Sequence, residues 1–224
     1  SSHPGAMASF TLKAAKSGFC AFAFTHADSL VQSTNSKKSF FGTNPICFAA
    51  PRKNEPPFCL DMAPTFIPWN KILESKENDT KLEGDFAVDI NGNKTNDPHL
   101  AKSLLPIGNY KGYALAAMVE VLCSNLSGMN FGPHIPSMYG SPITSPRKLG
   151  QFYIVFRADV NMELTNFEQM LHEMSEEVRN QEKDQRSERV MMPNDPQIEI
   201  QKERSKYGIP LSPELYKAIF EDTN

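Results

Sequence analysis

The stretch Phe19 to Thr25, FCAFAFT, constrains the fold of this chain most. Seven uncharged residues directly after Gly18 suit a short strand that is covered on both faces. The preceding residues, Pro4 to Ser17, carry Ala, Met, Phe and Leu at helical spacing, and Gly18 stands where a C-terminal cap belongs. A helix that feeds into a doubly buried strand is an α/β signature rather than an all-helical one.

The rest of the chain continues that pattern. Asp28 to Phe41 reads as a polar loop. GTNPICFAAP and FCLDMA are two further short apolar strands, separated by the turn-rich PRKNEPP. Thr65 to Lys81 predicts a helix with a charged exposed end, and Gly84 to Pro98 a short strand followed by an Asn-Gly turn. In Pro106 to Gly128, Lys111 sits between Gly108 and Gly112, and a segment follows in which Glu120 is the only charge. That segment of about 16 residues would be roughly 24 Å long as a helix. Gly128 to Lys148 is rich in Gly, Pro and Ser and reads as a loop, and GQFYIVFR as a strand. Leu164, Phe167, Met170, Leu171, Met174 and Val178 share one face of an amphipathic helix. Asp195-Pro196 opens another helix that Gly208 closes, and Ser212-Pro213 starts a last one.

Composition narrows the function classes. Of 224 residues, 40% are hydrophobic and 22% charged, with 23 Lys and Arg against 26 acids, so no basic stripe points to nucleic acid. No apolar run approaches the ~20 residues of a membrane span, and the N-terminus has no charged-then-apolar signal pattern. Cys20, Cys47, Cys59 and Cys123 lie far apart and form no C-x-x-C pair. Buried free thiols in a reducing compartment are the simplest reading, which predicts a cytoplasmic protein without a metal site.

Three places carry candidate chemistry. There is no G-x-G-x-x-G, so the ordinary Rossmann fingerprint is absent. Lys111 and Gly112 offer a charge beside a helix start, either for holding an anion or merely as the solvated entrance to a buried helix. His3, in SSHPGA before a helix, is placed for proton transfer or is simply an exposed histidine near a chain end. Asp61 lies at a strand end, where open sheets bind ligands, or it caps the helix that follows.

SSHPGA, GTNPICFAAP, LDMAPT, TNDP, LPIGNYKGYALAAMVEVL, SMYG, RKLGQFYIVF and GIPL occur in this order along the chain. Together they resemble the malate/L-lactate dehydrogenase family, which includes L-sulfolactate and ureidoglycolate dehydrogenases. The resemblance implies a mixed α+β fold, a mixed sheet flanked by helices that is not a Rossmann fold. It implies an NAD- or NADP-dependent oxidoreductase acting on a small 2-hydroxy or 2-oxo acid, of malate or lactate type, in a homodimer with active sites near the subunit interface. The alternative is a catalytically silent dinucleotide-binding or dimerising relative, or a fragment inactive without the family's N-terminal region.

By position, the resemblance gives His3 the acid/base role. It puts Ala27, Asp61, Met62, Ala63, Lys111, Gly112, Asn194, Asp195 and Pro196 against the cofactor, and Arg147 at the substrate anion. It also implies a cofactor-binding core over residues 1–160 and a helical segment, 161–224, packing back on the same unit. The family's N-terminal helical region, with its D-S-H-G motif, has no match here. Asn70, Asn109, Ala114 and Asn194 stand where glycine is common in the family.

Overall fold

The computed structural model describes residues 3–142 and 144–221. A nine-residue helix α1 (Ala8–Lys16) leads into strand β1 (Phe19–Thr25) through Gly18, whose φ of +84° is a conformation that residues with a Cβ rarely adopt. β1 is one of two inner strands of a four-stranded antiparallel sheet. Its neighbours are β4 (Ile46–Ala50), flanked in turn by β5 (Phe58–Met62), and β9 (Gln151–Arg157) on the other side.

The register explains why β1 is apolar throughout. Ala21 opposes Ala49 and Ala23 opposes Cys47; with Cys59 these small residues form one face, on which Met7 and Ala15 of the α1 region pack. Phe22 and Phe24 point to the other face. There they meet Ile46, Phe152, Val119 and Cys123, the last two from helix α3 (Tyr110–Glu120) and the π-helical turn that extends it, Val121–Asn125. Helix α4 (Leu164–Arg179) covers the rest of this face with Leu164, Phe167 and Leu171 around Cys20 and Ala50. Helices on both sides of one sheet bury both pleats of its inner strands.

A second sheet of five short strands has the order β3-β2-β8-β6-β7: β2 (Val31–Gln32), β3 (Ser39–Phe41), β6 (Ala87–Val88), β7 (Lys94–Thr95) and β8 (Ser103–Leu104). β2 and β8 run parallel, so this sheet is mixed. Helix α2 (Trp69–Glu77) packs Ile72 against Leu82, Ala87 and Leu104.

Three expectations are corrected. The stretch 28–41 contains the pair β2 and β3 instead of being all loop. The helix expected from Thr65 begins only at Trp69, because Thr65 bridges Pro106 and the N–H of Phe66 donates to Leu105, while Pro68 is its extended N-cap. On α4, Met170 and Met174 are exposed; its packed face is narrower than the apolar stripe and is continued by the buried Ser175.

The Asn91-Gly92 turn, α5 (Asp195–Tyr207) with Gly208 after it, and α6 (Pro213–Phe220) with Ser212 Oγ accepting from the N–H of Leu215 all match the sequence signals. α4 packs back on the sheet and Arg179 ties α5 to it; residues 201–221 are exposed. All four cysteines are free and buried. No helix among the described residues is long and apolar enough to cross a membrane.

Candidate active site

The site begins where β1 and β5 end. After Thr25 the chain turns through His26, Ala27 and Asp28. The N–H of Ala27 donates to Asn44 Oδ1 at 3.1 Å. The amide nitrogen of Asn44 donates in turn to the Ala116 carbonyl at 2.8 Å and to Glu120 Oε2 at 2.7 Å. Glu120 is fully enclosed, its other oxygen accepts the N–H of Gly132 at 2.7 Å, and burial raises its pKa. A buried carboxylate is tolerable only with such donors. The Asn44–Glu120 pair therefore locks the end of β1 to α3 and to the loop after it.

At the end of β5, Asp61 Oδ2 accepts the N–H of Ala8 at 2.9 Å. Asp61 thus caps α1, not the helix that follows it, and fixes the lead-in that carries His3. In that lead-in the N–H of Gly5 donates to His3 Nδ1 at 3.0 Å, so the neutral ring carries its proton on Nε2. Beyond Asp61, Met62 is exposed, and Pro64 accepts the N–H of Ile107 at 3.0 Å. This brings Asp61–Ala63 beside the start of α3.

Gly112 is required there by packing. A Cβ would lie 2.5 Å from the Ile107 carbonyl oxygen and 2.7 Å from that of Pro64. The N–H groups of Lys111 and Gly112 are already donated to the Gly108 and Ile107 carbonyls. Any anion held at this corner is left chiefly to the exposed Lys111 ammonium.

His3, Ala27, Ala63 and Arg147 line one cleft of about 210 Å³, together with His26, Asp28, Trp69, Asn70, Met138 and Tyr139. Arg147 forms an ion pair with Asp28, and its Nε donates to the Pro136 carbonyl at 3.0 Å. Asp28 also accepts the N–H of Met138 at 3.1 Å, so this pair pins the loop that forms one wall. Across the mouth, the Tyr139 hydroxyl donates to Asn70 Oδ1 at 3.0 Å. His26 is 1% exposed and neither ring nitrogen has a hydrogen-bond partner of good geometry. Burial pushes its pKa down to about 4, outweighing the nearby Asn130 backbone.

Asn194, Asp195 and Pro196 stand at a separate depression lined by Glu55, Arg179 and Asp195. Arg179 makes a two-pronged contact with Asp195, at 2.9 and 2.7 Å, and holds that carboxyl below its usual range. Sequence reasoning missed His26, Asp28, Asn44, Trp69 and Tyr139. One signal was available for Asn44: a lone acid, Glu120, in the otherwise uncharged segment after Gly112 must find a buried polar partner.

The comparisons with known proteins agree with this architecture. The NAD(+)-dependent ureidoglycolate dehydrogenase of Escherichia coli (strain K12) is 31% identical over 220 residues, covering 98% of this chain and 63% of that protein. The NADP(+)-dependent (2R)-3-sulfolactate dehydrogenase of Chromohalobacter salexigens is 32% identical over 158 residues, 70% of this chain and 47% of its own length. The crystal structure of malate dehydrogenase from Entamoeba histolytica has the same fold, with a TM-score of 0.89 at 24% identity over 97% of this chain and 64% of that one. The chain thus spans less than two thirds of the length of these relatives. The malate/L-lactate dehydrogenase family matches residues 1–220: this chain belongs to that family.

Proposed function

We propose that the protein is an NAD(P)-dependent oxidoreductase that interconverts small 2-hydroxy and 2-oxo acids of the malate–lactate range. One observation carries this reading: His3, Ala27, Ala63 and Arg147, widely separated in sequence, line a single cleft. In the reducing direction, 2-oxo acid, NAD(P)H and a proton give 2-hydroxy acid and NAD(P)⁺.

The residues present fit a dinucleotide. Ala27 and Ala63 are small and half-buried, Met62 offers an exposed apolar surface beside them, and Lys111 supplies a cation at the adjoining helix start. When bound, the nicotinamide supplies the hydride. His3 donates the proton to the substrate oxygen from Nε2 as an imidazolium, a form in which Nδ1 is also protonated and the Gly5 N–H is released. Asp61 positions His3 through α1, and Arg147 brings its guanidinium to the cleft wall for a carboxylate. Asn194–Pro196 would reach the dinucleotide only from their separate depression.

Relatives use NAD or NADP, and both are proposed here. A cytoplasmic homodimer completes the reading. The free buried thiols support the compartment, and the open, apolar edge of β9 together with the exposed residues 201–221 supports the second copy.

The test mixes the protein with NADH or NADPH and a panel of 2-oxo acids, and follows loss of the reduced coenzyme's absorbance. His3→Ala is expected to lower kcat by about 10²–10⁴-fold. No oxidation with any acid and either coenzyme would overturn the reading. Light scattering after size exclusion checks the dimer.

A further inference from the structure

His26 lines the cleft, yet both of its ring nitrogens are shut off from solvent and neither makes a well-aligned hydrogen bond. Chain added outside the cleft would not relieve this, because the nitrogens already lie beneath the surface. A buried polar atom without a partner is a cost that the folded protein carries until a donor or acceptor meets it. The backbone is not free to supply one. Thr25 is paired with Gln151 of β9 and the N–H of Ala27 is donated to Asn44 Oδ1, so the residue is held on both sides. Rotation of the side chain remains, and the ring is already part of the cleft wall.

Burial keeps the ring neutral at ordinary pH. A neutral imidazole has one N–H and one bare nitrogen that can only accept. The Asn130 backbone beside the ring is a destination for the N–H. The bare nitrogen needs a donor. Of the two ligands that meet for reduction, a 2-oxo acid offers only acceptors. The coenzyme carries a donor at its reacting end, the carboxamide NH2 of the nicotinamide. Hydride transfer requires that end to lie beside the substrate carbon and within reach of His3, hence in this cleft.

Resting on the oxidoreductase reading above, we propose that His26 is a coenzyme-binding residue: its ring turns toward the cleft and its bare nitrogen accepts an N–H of the nicotinamide carboxamide. The contact relieves the unpaired ring and sets the rotation of the nicotinamide, and so which of its faces meets the substrate.

The probes are NADH and its reduced 3-acetylpyridine analogue, in which a methyl group replaces the carboxamide NH2; the corresponding NADPH pair serves if the protein takes that coenzyme. In protein labelled with nitrogen-15 histidine, the bare ring nitrogen of His26, assigned by its absence from a His26 variant, is expected to move upfield with NADH and to stay with the analogue. By calorimetry the unaltered protein is expected to bind NADH about tenfold more tightly than the analogue, the worth of one hydrogen bond. His26→Leu should bind both alike, through lost affinity for NADH alone. His26→Asn or His26→Gln, which each keep a carbonyl acceptor, should restore part of the preference.

A His26 nitrogen that stays put when NADH binds, or moves equally with the analogue, would overturn the proposal and leave the oxidoreductase reading intact. So would a His26→Leu variant that keeps the preference or weakens both ligands equally. The nitrogen shift is read on the unaltered protein, so a variant that fails to fold does not shield the proposal. If neither coenzyme releases heat or moves any histidine resonance, the proposal and the oxidoreductase reading fall together.

Discussion

The carboxylate of Asp61 accepts the backbone N–H of Ala8 at 2.9 Å, across 53 residues of sequence. This contact joins the end of β5 to the start of α1 and so sets where His3 stands. Asp61→Ala removes the cap and is expected to lower stability by about 1 kcal/mol in urea unfolding. Asp61→Asn, which keeps an acceptor, should recover most of that loss. If His3 acts as proposed, Asp61→Ala also lowers kcat more than it changes KM, because the ring is misplaced and not removed.

His26 makes stability depend on acid in a defined window. The unfolded chain takes up a proton near pH 6.5, whereas burial delays that event in the folded protein to about 4. Its contribution is complete above about pH 6.5 and is lost as pH falls toward 4. Between pH 7.5 and 5 the loss amounts to about 2 kcal/mol. His26→Gln cannot titrate, so the difference in unfolding free energy between pH 7.5 and 5 should shrink by about that amount. An unchanged pH dependence would show that the ring is not held neutral.

Asn44 is expected to be the most sensitive polar residue of the site. Asn44→Ala takes a donor from the buried Glu120 and the acceptor from the Ala27 N–H, which should cost about 2–4 kcal/mol. Burial already favours the protonated form of Glu120, and removing a donor favours it further. The penalty should therefore be greatest at neutral pH and diminish as acid protonates Glu120. Paired urea titrations of variant and unaltered protein across that range measure it.

Gly112 and Lys111 can be separated by substitution. Gly112→Ala forces a methyl against two carbonyl oxygens and is expected to cost about 1–3 kcal/mol, read as a fall in Tm. Lys111→Ala touches no packed atom and should stay within about 0.5 kcal/mol. If Lys111 holds the charged part of the coenzyme, the same variant raises the Kd for NADH with stability unchanged.

Local signals were legible because the forces behind them are local. Gly18, the Asn91-Gly92 turn, Gly208 and the Ser212-Pro213 cap each depend on a few neighbouring dihedrals, and each stands where it was read. The uncharged run of β1 was legible because cover on both faces leaves no pleat for a polar residue. The helix from Thr65 was misjudged because periodicity carries no information about Pro106 and Leu105, which take residues 65 and 66 into extended pairing.

The candidate site was legible only in part for the same reason. His3, Ala27, Ala63 and Arg147 were named from the ordered motifs, and the fold draws them to one cleft. What Asp61, Asn44 and Asp28 do depends on partners 53, 76 and 119 residues away, and no spacing rule spans such distances.

The free edge of β9 has a practical consequence. Tyr153, Ile154, Val155 and Phe156 are all exposed, and the strand QFYIVFR contains no proline or lysine. An unguarded strand of this composition is a template for intermolecular β-pairing. A preparation of this chain in which nothing covers that edge should cloud on concentration, and Ile154→Lys, a gatekeeper charge, should keep it clear.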